Sequence, residues 1–263
     1  MRIYSVFCLL LLLAASSCDR NIVPKSSSLP VSPPPPPPPP PPEIMGGNPR
    51  ISSTVINTQA PIRKPNPAVN AIKINIFTDS GTIVVQLFDS TPLHRDNFVK
   101  LVKQGFYDSL LFHRVIPQFM IQGGDPSSKY AMPGTGLGNG GADMARISAE
   151  FNPSLFHKKG VLAAARDGNP EKASSACQFY LVEGKVQTEE QLNQLELRNG
   201  FKYTPEQRAA YTTIGGTPQL DMGYTVFGEV ISGLEVIGKI VNVPRDGSNR
   251  PLGDVRMRMV IIK

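Results

Sequence analysis

The sequence contains no tryptophan, and only three of its 263 residues are cysteines. Charged residues make up 18% of the chain, and no stretch reaches 18 consecutive apolar residues. The lack of a long apolar stretch argues against a transmembrane helix, which needs about 20 predominantly apolar residues. Three cysteines are also too few for the disulfide framework of small secreted domains. A folded domain in this chain therefore depends on a hydrophobic core.

Proline is plentiful but unevenly distributed. Sixteen of the 26 prolines precede residue 70, and ten of them form the single run Pro33–Pro42. Residues 18–69 are rich in Pro, Ser and Asn, so they cannot bury enough apolar surface to order themselves. We predict a disordered tether in which the ten prolines form a polyproline II rod of about 31 Å. A docking site for a proline-recognising partner is the alternative.

The formal net charge of +6 does not indicate a nucleic-acid partner. Half of the excess lies in residues 19–69, and residues 70–263 contain no block of Lys and Arg. A nucleic-acid-binding domain is expected to concentrate its basic residues in a patch or stripe. The sequence therefore predicts no nucleic-acid interface.

The amino terminus has the features of an export signal. Arg2 and the free amine precede the apolar run Val6–Ala15, which is too short to cross a bilayer. Small residues then lead to Cys18, and this stretch resembles a bacterial lipobox, although Ala15 stands where Leu is usual. The resemblance implies a signal peptide at 1–17, lipidation of Cys18 and a membrane-anchored protein facing the periplasm or the cell surface. Ordinary cleaved secretion and a buried amino-terminal helix are the alternatives.

The third cysteine has no partner after export. Cys8 leaves with the signal and Cys18 becomes lipidated, so Cys177 cannot form a disulfide within the chain. Cys177 adjoins a strand-like run at residues 178–182, and no His motif accompanies it. We therefore expect a buried, apolar side chain and not a catalytic nucleophile.

From residue 71 the pattern becomes that of a β-rich domain. Two β-rich runs flank Asp79–Gly81 and predict a hairpin. Thr91 and Pro92 predict the start of a helix that Gly105 ends, and residues 234–240 predict a second helix. Further short strands are expected at 113–116, 120–122, 161–165, 179–182, 225–231 and 255–262. This order predicts a closed barrel capped by two helices.

One segment carries a specific resemblance. Residues Phe112–Asp125, FHRVIPQFMIQGGD, are similar to the central motif of the cyclophilins, the peptidyl-prolyl cis-trans isomerases. Flanking blocks extend the resemblance in order over about 75–263. It implies a mostly β fold, a closed eight-stranded antiparallel barrel, in a domain at 70–263. It further implies a monomeric isomerase that needs no cofactor or metal. Its expected partners are proline-containing peptides and unfolded exported proteins.

The chemistry of such an enzyme needs no nucleophile. Rotation about a peptide bond must cross a barrier of about 18–20 kcal/mol that arises from amide resonance. No covalent bond breaks, so the useful groups are an apolar pocket for the proline ring and a donor that stabilises the twisted amide. A planar, always-charged guanidinium suits the donor role.

The resemblance assigns roles residue by residue. Arg114 matches the catalytic arginine, and Gln122 matches the glutamine that orients it and holds the substrate backbone. The expected substrate-binding residues are Phe119, Met120, Ala165, Arg166, Tyr180, Leu220 and Tyr224. Among these, Arg166 replaces the usual Asn, and Tyr224 replaces a frequent His. His113 is expected to be packed and hydrogen-bonded and not a general base, since the reaction transfers no proton.

The sequence departs from the family pattern at two places. Gln219 stands where many members have the Trp that binds cyclosporin, so weak binding of that compound is expected. An insertion at about 183–218 contains two capping-box sequences, which begin at Thr188 and Thr204 and predict two short helices. Gly200 is expected to end the first helix. The insertion either selects client proteins or decorates the barrel.

Two rival functions remain. Gly136–Gly141 satisfies G-x-G-x-x-G, but no βαβ unit surrounds it, so we expect a surface loop and not a nucleotide site. The three histidines have no zinc spacing. A non-catalytic module that binds proline peptides in the same groove is the stronger alternative, although it has no chemical need for Arg114.

Overall fold

The computed structural model describes residues 71–262, which form one sheet with four helices. The predicted signal peptide, Cys18 and nearly all of the tether lie outside the described residues. No helix within 71–262 combines the length and the apolar character that crossing a membrane requires.

Eight antiparallel strands lie in the spatial order β3-β4-β6-β5-β7-β2-β1-β8. In chain order the strands are β1 (Lys73–Thr78), β2 (Gly81–Leu87), β3 (Phe112–Ile116), β4 (Met120–Gly123), β5 (Val161–Ala164), β6 (Phe179–Val182), β7 (Val226–Ser232) and β8 (Arg258–Ile262). The helices are α1 (Pro92–Lys103), α2 (Glu189–Asn199), α3 (Pro205–Thr213) and α4 (Leu234–Val241).

The sheet curls into an open half-barrel, so the prediction of a closed barrel is wrong. The edge strands β3 and β8 are not joined by a ladder. The segments that precede β3 and β8 do meet. Leu111 forms a single bridge with Arg256, and backbone hydrogen bonds join Phe112 N–H to Val255 O, Ser109 N–H to Met257 O and Met257 N–H to Leu110 O. In the antiparallel register of that bridge, Arg258 lies beside Ser109, which precedes the first residue of β3. Strands β8 and β3 therefore do not lie alongside each other.

The main core follows from the alternation of apolar residues along the strands. Ile74 and Ile76 of β1 point to the same side as Ile83 and Val85 of β2, and all four are fully buried. Helices α1 and α4 cover this side, and α4 contributes Ile237 among its buried residues. Each fully buried Ile or Val contributes about 1.5–3 kcal/mol.

Strands β5 and β6 are buried on both faces, and this places a second apolar cluster on the outside of the sheet. Leu162 and Leu181 face the main core, whereas Ala163 and Tyr180 face the opposite side. This outer cluster consists of Met120, Val161, Ala163, Ala165, Tyr180, Val182 and Val226, with Phe88, Ile116, Phe119, Leu155, Leu220 and Tyr224 packed on it.

Helix α1 begins where expected but has a different cap. Thr91 makes no side-chain capping bond. Instead, the Glu150 carboxylate accepts hydrogen bonds from the backbone N–H groups of Leu93 and His94, both at 3.0 Å. At the other end Gly105 has φ +64°, and the backbone turns away as predicted.

Both predicted capping boxes are confirmed. In α2 and α3 the threonine side chain accepts from the N3 backbone, and the N3 glutamine accepts from the threonine N–H. Gly200 ends α2 in the left-handed region, at φ +74°. The two helices enclose a small core of their own, formed by Leu192, Tyr203 and Tyr211.

Candidate active site

The outer cluster gathers the apolar residues singled out in the sequence. Phe119, Met120 and Tyr180 lie together with Leu220 and Tyr224, although they come from three distant parts of the chain. Met120 and Tyr180 are almost fully buried, whereas the other three are partly exposed. The cluster therefore presents an apolar, partly aromatic surface with a buried floor.

A line of hydrogen-bonded polar side chains runs across the strands beside the cluster. Arg114 of β3 lies opposite Gln122 of β4, and Gln122 lies opposite Tyr180 of β6. Arg114 Nη1 donates to Gln122 Oε1 at 3.2 Å. This is the only hydrogen bond that its guanidinium makes within residues 71–262, so its other N–H groups are free to meet a ligand. The structure thus brings the two predicted catalytic residues together.

Gln178 extends this line and was not assigned a role from the sequence. Gln122 Nε2 donates to Gln178 Oε1 at 3.0 Å, and Gln178 Nε2 donates to the carbonyls of Gly138 and Gly140, both at 2.9 Å. The alternation of side chains along β6 could have revealed this role. Gln178 and Tyr180 are two residues apart and therefore share a face.

The glycine-rich stretch Gly136–Gly141 is a loop, as predicted, and its carbonyls hold Gln178 at the end of the hydrogen-bonded line. The Asp125 carboxylate accepts from Gly138 N–H. A Cβ at Gly140 would lie 1.9 Å from Asp125 Oδ1, so the loop can approach this carboxylate only through glycine.

A second buried network fixes the floor of the cluster. The Tyr180 hydroxyl lies 3.0 Å from His157 Nε2, and His157 Nδ1 lies 2.8 Å from Asp221 Oδ1. Because the Asp221 carboxylate can only accept, His157 Nδ1 donates to it, and the His157 ring thereby links Tyr180 to Asp221. Burial raises the pKa of Tyr180 well above its ordinary value, so the hydroxyl keeps its proton.

The same network reaches α3. The Tyr211 hydroxyl donates to Asp221 Oδ2 at 2.5 Å, and burial, followed by the nearby Asp221 charge, raises the pKa of Tyr211. Asp221 directly follows Leu220, so one carboxylate holds the loop that carries Leu220 and Tyr224. Sequence reasoning missed Asp221 and His157, because neither belongs to a local motif.

Arg166 closes one side of the cluster. Its guanidinium lies 4.6 Å from the centroid of the Tyr224 ring, and Nε donates to Gly223 O at 2.8 Å. Tyr224 in turn packs edge-on against Tyr180, with the ring centroids 6.0 Å apart. The cation is thereby fixed at the edge of the apolar surface.

His113 corrects one expectation. The side chain is packed, with 4% of its surface exposed, but neither ring nitrogen has a hydrogen-bond partner within the described residues. Burial is the main cause that lowers its pKa to about 4. His113 is therefore neutral at physiological pH and is packed without the expected hydrogen bond.

A further sequence prediction concerns Cys177, which lies outside the cluster. Cys177 is buried, and burial raises the pKa of its thiol, as suits an apolar core residue. Within residues 71–262, no group of three His, Cys, Asp or Glu side chains could hold a metal ion.

Comparisons with known proteins agree with this geometry. The family model "Cyclophilin type peptidyl-prolyl cis-trans isomerase/CLD" matches residues 73–261. A Staphylococcus haemolyticus protein named as a candidate peptidyl-prolyl cis-trans isomerase is 36% identical over 196 residues, which cover 74% of this chain and 92% of that protein.

Solved structures give the same result. A Cryptosporidium parvum cyclophilin type peptidyl-prolyl cis-trans isomerase superimposes with a TM-score of 0.54 and 25% identity, over 74% of this chain and 99% of that one. A second structure of it, determined in the presence of the dipeptide Ala-Pro, gives a TM-score of 0.52 at 25% identity, over 73% and 99%. The family match over nearly all described residues and the 36% identity to a relative show that the chain belongs to the cyclophilin-type peptidyl-prolyl cis-trans isomerases and is an enzyme of that class.

Proposed function

We propose that the outer cluster receives the proline ring of a substrate and that Arg114 accelerates rotation of the preceding peptide bond. The observation that carries this proposal is the position of a mostly uncommitted guanidinium on the strand beside an apolar, partly exposed surface. As the amide twists, its nitrogen regains a lone pair, and an N–H of Arg114 donates to that lone pair. The donation stabilises the twisted state more than either planar isomer, which is the condition for catalysis.

Gln122 and Gln178 act together in this mechanism. Gln122 accepts from Arg114 and holds the guanidinium across the ladder, while Gln178 fixes the amide of Gln122. The glycine-loop carbonyls orient Gln178 in turn. Such fixed donors cost little reorganisation when the amide twists.

The remaining site residues bind the substrate. Ala165 directly follows β5, and its N–H and C=O are already bonded to Gln178 O and Ser175 N–H, so it would meet the substrate through its methyl group in the outer cluster. Arg166 follows it at the cluster edge. We assign substrate contacts to Phe119, Met120, Ala165, Arg166, Tyr180, Leu220 and Tyr224. The Cryptosporidium parvum relative, whose structure was determined in the presence of Ala-Pro, supports proline-containing peptides as the ligand class.

The test is isomerisation of a short Ala-Pro-Phe peptide by the full chain and by Arg114→Ala. We expect the variant to lose at least tenfold in kcat/KM, and about 100-fold if the donor is worth as much as an oxyanion-hole donor. Arg245→Ala, which removes an exposed guanidinium elsewhere in the domain, is the matched control and should retain full turnover.

Each outcome of this test has a distinct meaning. Activity that survives Arg114→Ala would contradict the electrostatic mechanism while leaving the enzyme class intact. A folded parent without activity would instead favour the non-catalytic peptide-binding module.

We further propose that the enzyme acts on exported, unfolded proteins as a monomer tethered to a membrane by a lipid on Cys18. The apolar run that ends in small residues before Cys18, together with the ten-proline segment after it, supports this arrangement. Palmitate labelling of the full chain in bacteria tests it. Label on the parent and none on Cys18→Ala is expected, and an unlabelled parent found in the culture medium would indicate ordinary secretion.

A further inference from the structure

A groove of about 350 Å³ lies between helix α2 and the two turns that border the outer cluster. One turn contributes Gln118, which directly precedes Phe119, and the other contributes Gln219, which directly precedes Leu220. We call this the glutamine groove. Its position means that a peptide with its proline on the outer cluster can extend directly into it.

Much of the lining is polar, and part of it is not committed to the fold. Gln187 donates to Lys185 O, and Gln191 accepts in the capping box, so these two amides are structural. Within residues 71–262, the side chains of Gln118, Gln194 and Gln219 make no hydrogen bond. Three amides therefore remain available to a ligand.

The charge of the groove has one sign. Lys185 and Arg198 line it, and neither has a carboxylate within 4.0 Å among the described residues. By contrast, Lys202 and Arg208 of the same insertion both pair with Glu196. No Asp or Glu of the described residues lines the groove.

One carboxylate is bonded to the turn that contributes Gln118. Glu183 lies beside the groove, and its Oε2 accepts from the backbone N–H of Gln118. That bond holds Gln118 at φ +59°, a left-handed conformation that is uncommon for a residue with a side chain. Glu183 thus braces the turn and keeps its charge, but it forms no ion pair with Lys185 or Arg198, neither of which has a carboxylate within 4.0 Å among the described residues.

The walls of the groove are rigid at its base. Gly184 and Gly216 cross so closely that a Cβ at Gly184 would lie 2.4 Å from Gly216 Cα. Lys185 and Gly216 also exchange backbone hydrogen bonds of 3.3 and 3.0 Å. The backbone at the base of the groove is therefore held by the fold itself, which lowers the entropic cost of binding there.

We propose that the glutamine groove is a specificity subsite for a substrate residue near the proline, and that it prefers an acidic side chain. The proposal rests on the function proposed above. An Asp or Glu side chain would pair with Lys185 and Arg198 and accept hydrogen bonds from the free amides. Because both cations are exposed, salt screens the attraction, with a Debye length of about 10 Å at 0.1 M.

The test uses proline peptides that carry Glu, Gln or Lys at the second or third position on either side of the proline. Exchange NMR with the full chain gives kcat/KM for each peptide at low and at high salt. For at least one position we expect the Glu peptide to exceed the Lys peptide by about three- to tenfold, as two exposed ion pairs allow. High salt should reduce that ratio toward one.

Charge reversal assigns the preference to the groove. Lys185→Glu combined with Arg198→Glu should invert the Glu-to-Lys ratio, and a ratio does not depend on the overall activity of the variant. Lys239→Glu, an exposed cation on α4, is the matched control and should keep the ratio of the parent.

Two results would overturn the proposal. One is a parent that turns over Glu, Gln and Lys peptides within twofold at every position. The other is a double variant that keeps the preference of the parent, which would place the selectivity elsewhere, for instance at Arg166. If the parent is inactive, the proposed function fails, and amide chemical shifts of α2 then decide the subsite. Shifts from Glu peptides alone support it, and equal or absent shifts contradict it.

Discussion

Stability of the domain should fall sharply in mild acid because of His113. The ring is buried next to Arg114 without a hydrogen-bond partner among the described residues, and its pKa is lowered from 6.5 to about 4. In the unfolded chain the same ring gains a proton below about pH 6.5. Acid therefore stabilises the unfolded state, and stability that is intact above pH 6.5 is lost progressively as the pH falls from 6.5 to 4.

The size of the effect follows from the pKa difference. Each pH unit below 6.5 costs about 1.36 kcal/mol until the folded form also titrates. At about pH 5 the loss is about 2 kcal/mol, and below pH 4 it reaches about 3 kcal/mol. Such a loss is a large share of the free energy of unfolding, which is usually about 5–15 kcal/mol for a domain.

The assay is urea unfolding of the parent and of His113→Phe, at about pH 7.5 and about pH 5. The chain has no tryptophan, so far-ultraviolet circular dichroism is the suitable probe. His94 also titrates with a lowered pKa, because its burial outweighs the hydrogen bond and charge of Glu150. The difference in acid sensitivity between parent and variant isolates His113, and the variant should lose about 2 kcal/mol less than the parent.

Val115→Ala on the same strand is the control, since it weakens the core without removing a titrating group. It should lower the free energy of unfolding equally at both pH values. If His113→Phe and the parent lose the same amount between the two pH values, His113 is not the acid-sensitive group, and the argument from its burial fails.

Three further predictions concern the insertion and the site. Tyr211→Phe leaves Asp221 Oδ2 without the partner that it has in the structure, so thermal unfolding should show a loss of about 1–3 kcal/mol; an unchanged melting temperature would remove Tyr211 from the network. Gly216→Ala would place a Cβ 2.2 Å from His157 O and should cost at least about 1–3 kcal/mol, whereas Gly238→Ala in α4 meets no atom within 4 Å and should not destabilise the domain. If both alanine variants melt alike, the close crossing at Gly216 is not structurally important. Micromolar cyclosporin should leave turnover largely intact, because the family resemblance implies that Gln219 replaces the Trp that binds this compound, and complete inhibition would contradict this.

The sequence by itself determined the elements whose signals are local. Alternation along β1 and β2 is set by neighbouring residues, and the capping boxes at Thr188 and Thr204 need only contacts within one turn. Seven of the eight strands and the starts of both insertion helices were therefore predictable within about two residues, whereas β8 begins at Arg258, three residues after the predicted start at 255. The motif around Arg114 also predicted that Arg114 and Gln122 lie close together, because the two residues face each other across the β3–β4 hairpin.

Only the tertiary structure decided the contacts between distant segments. Glu150 caps α1 from 57 positions away, a contact that the threonine at the local cap position gave no reason to expect. Gln178 and Asp221 joined the site through side-chain hydrogen bonds that span 56 and 64 positions. Whether the sheet closes depended on where β8 begins relative to β3. These features arise from the relative placement of strands in space, and the alternation of residues along a single strand carries no information about that placement.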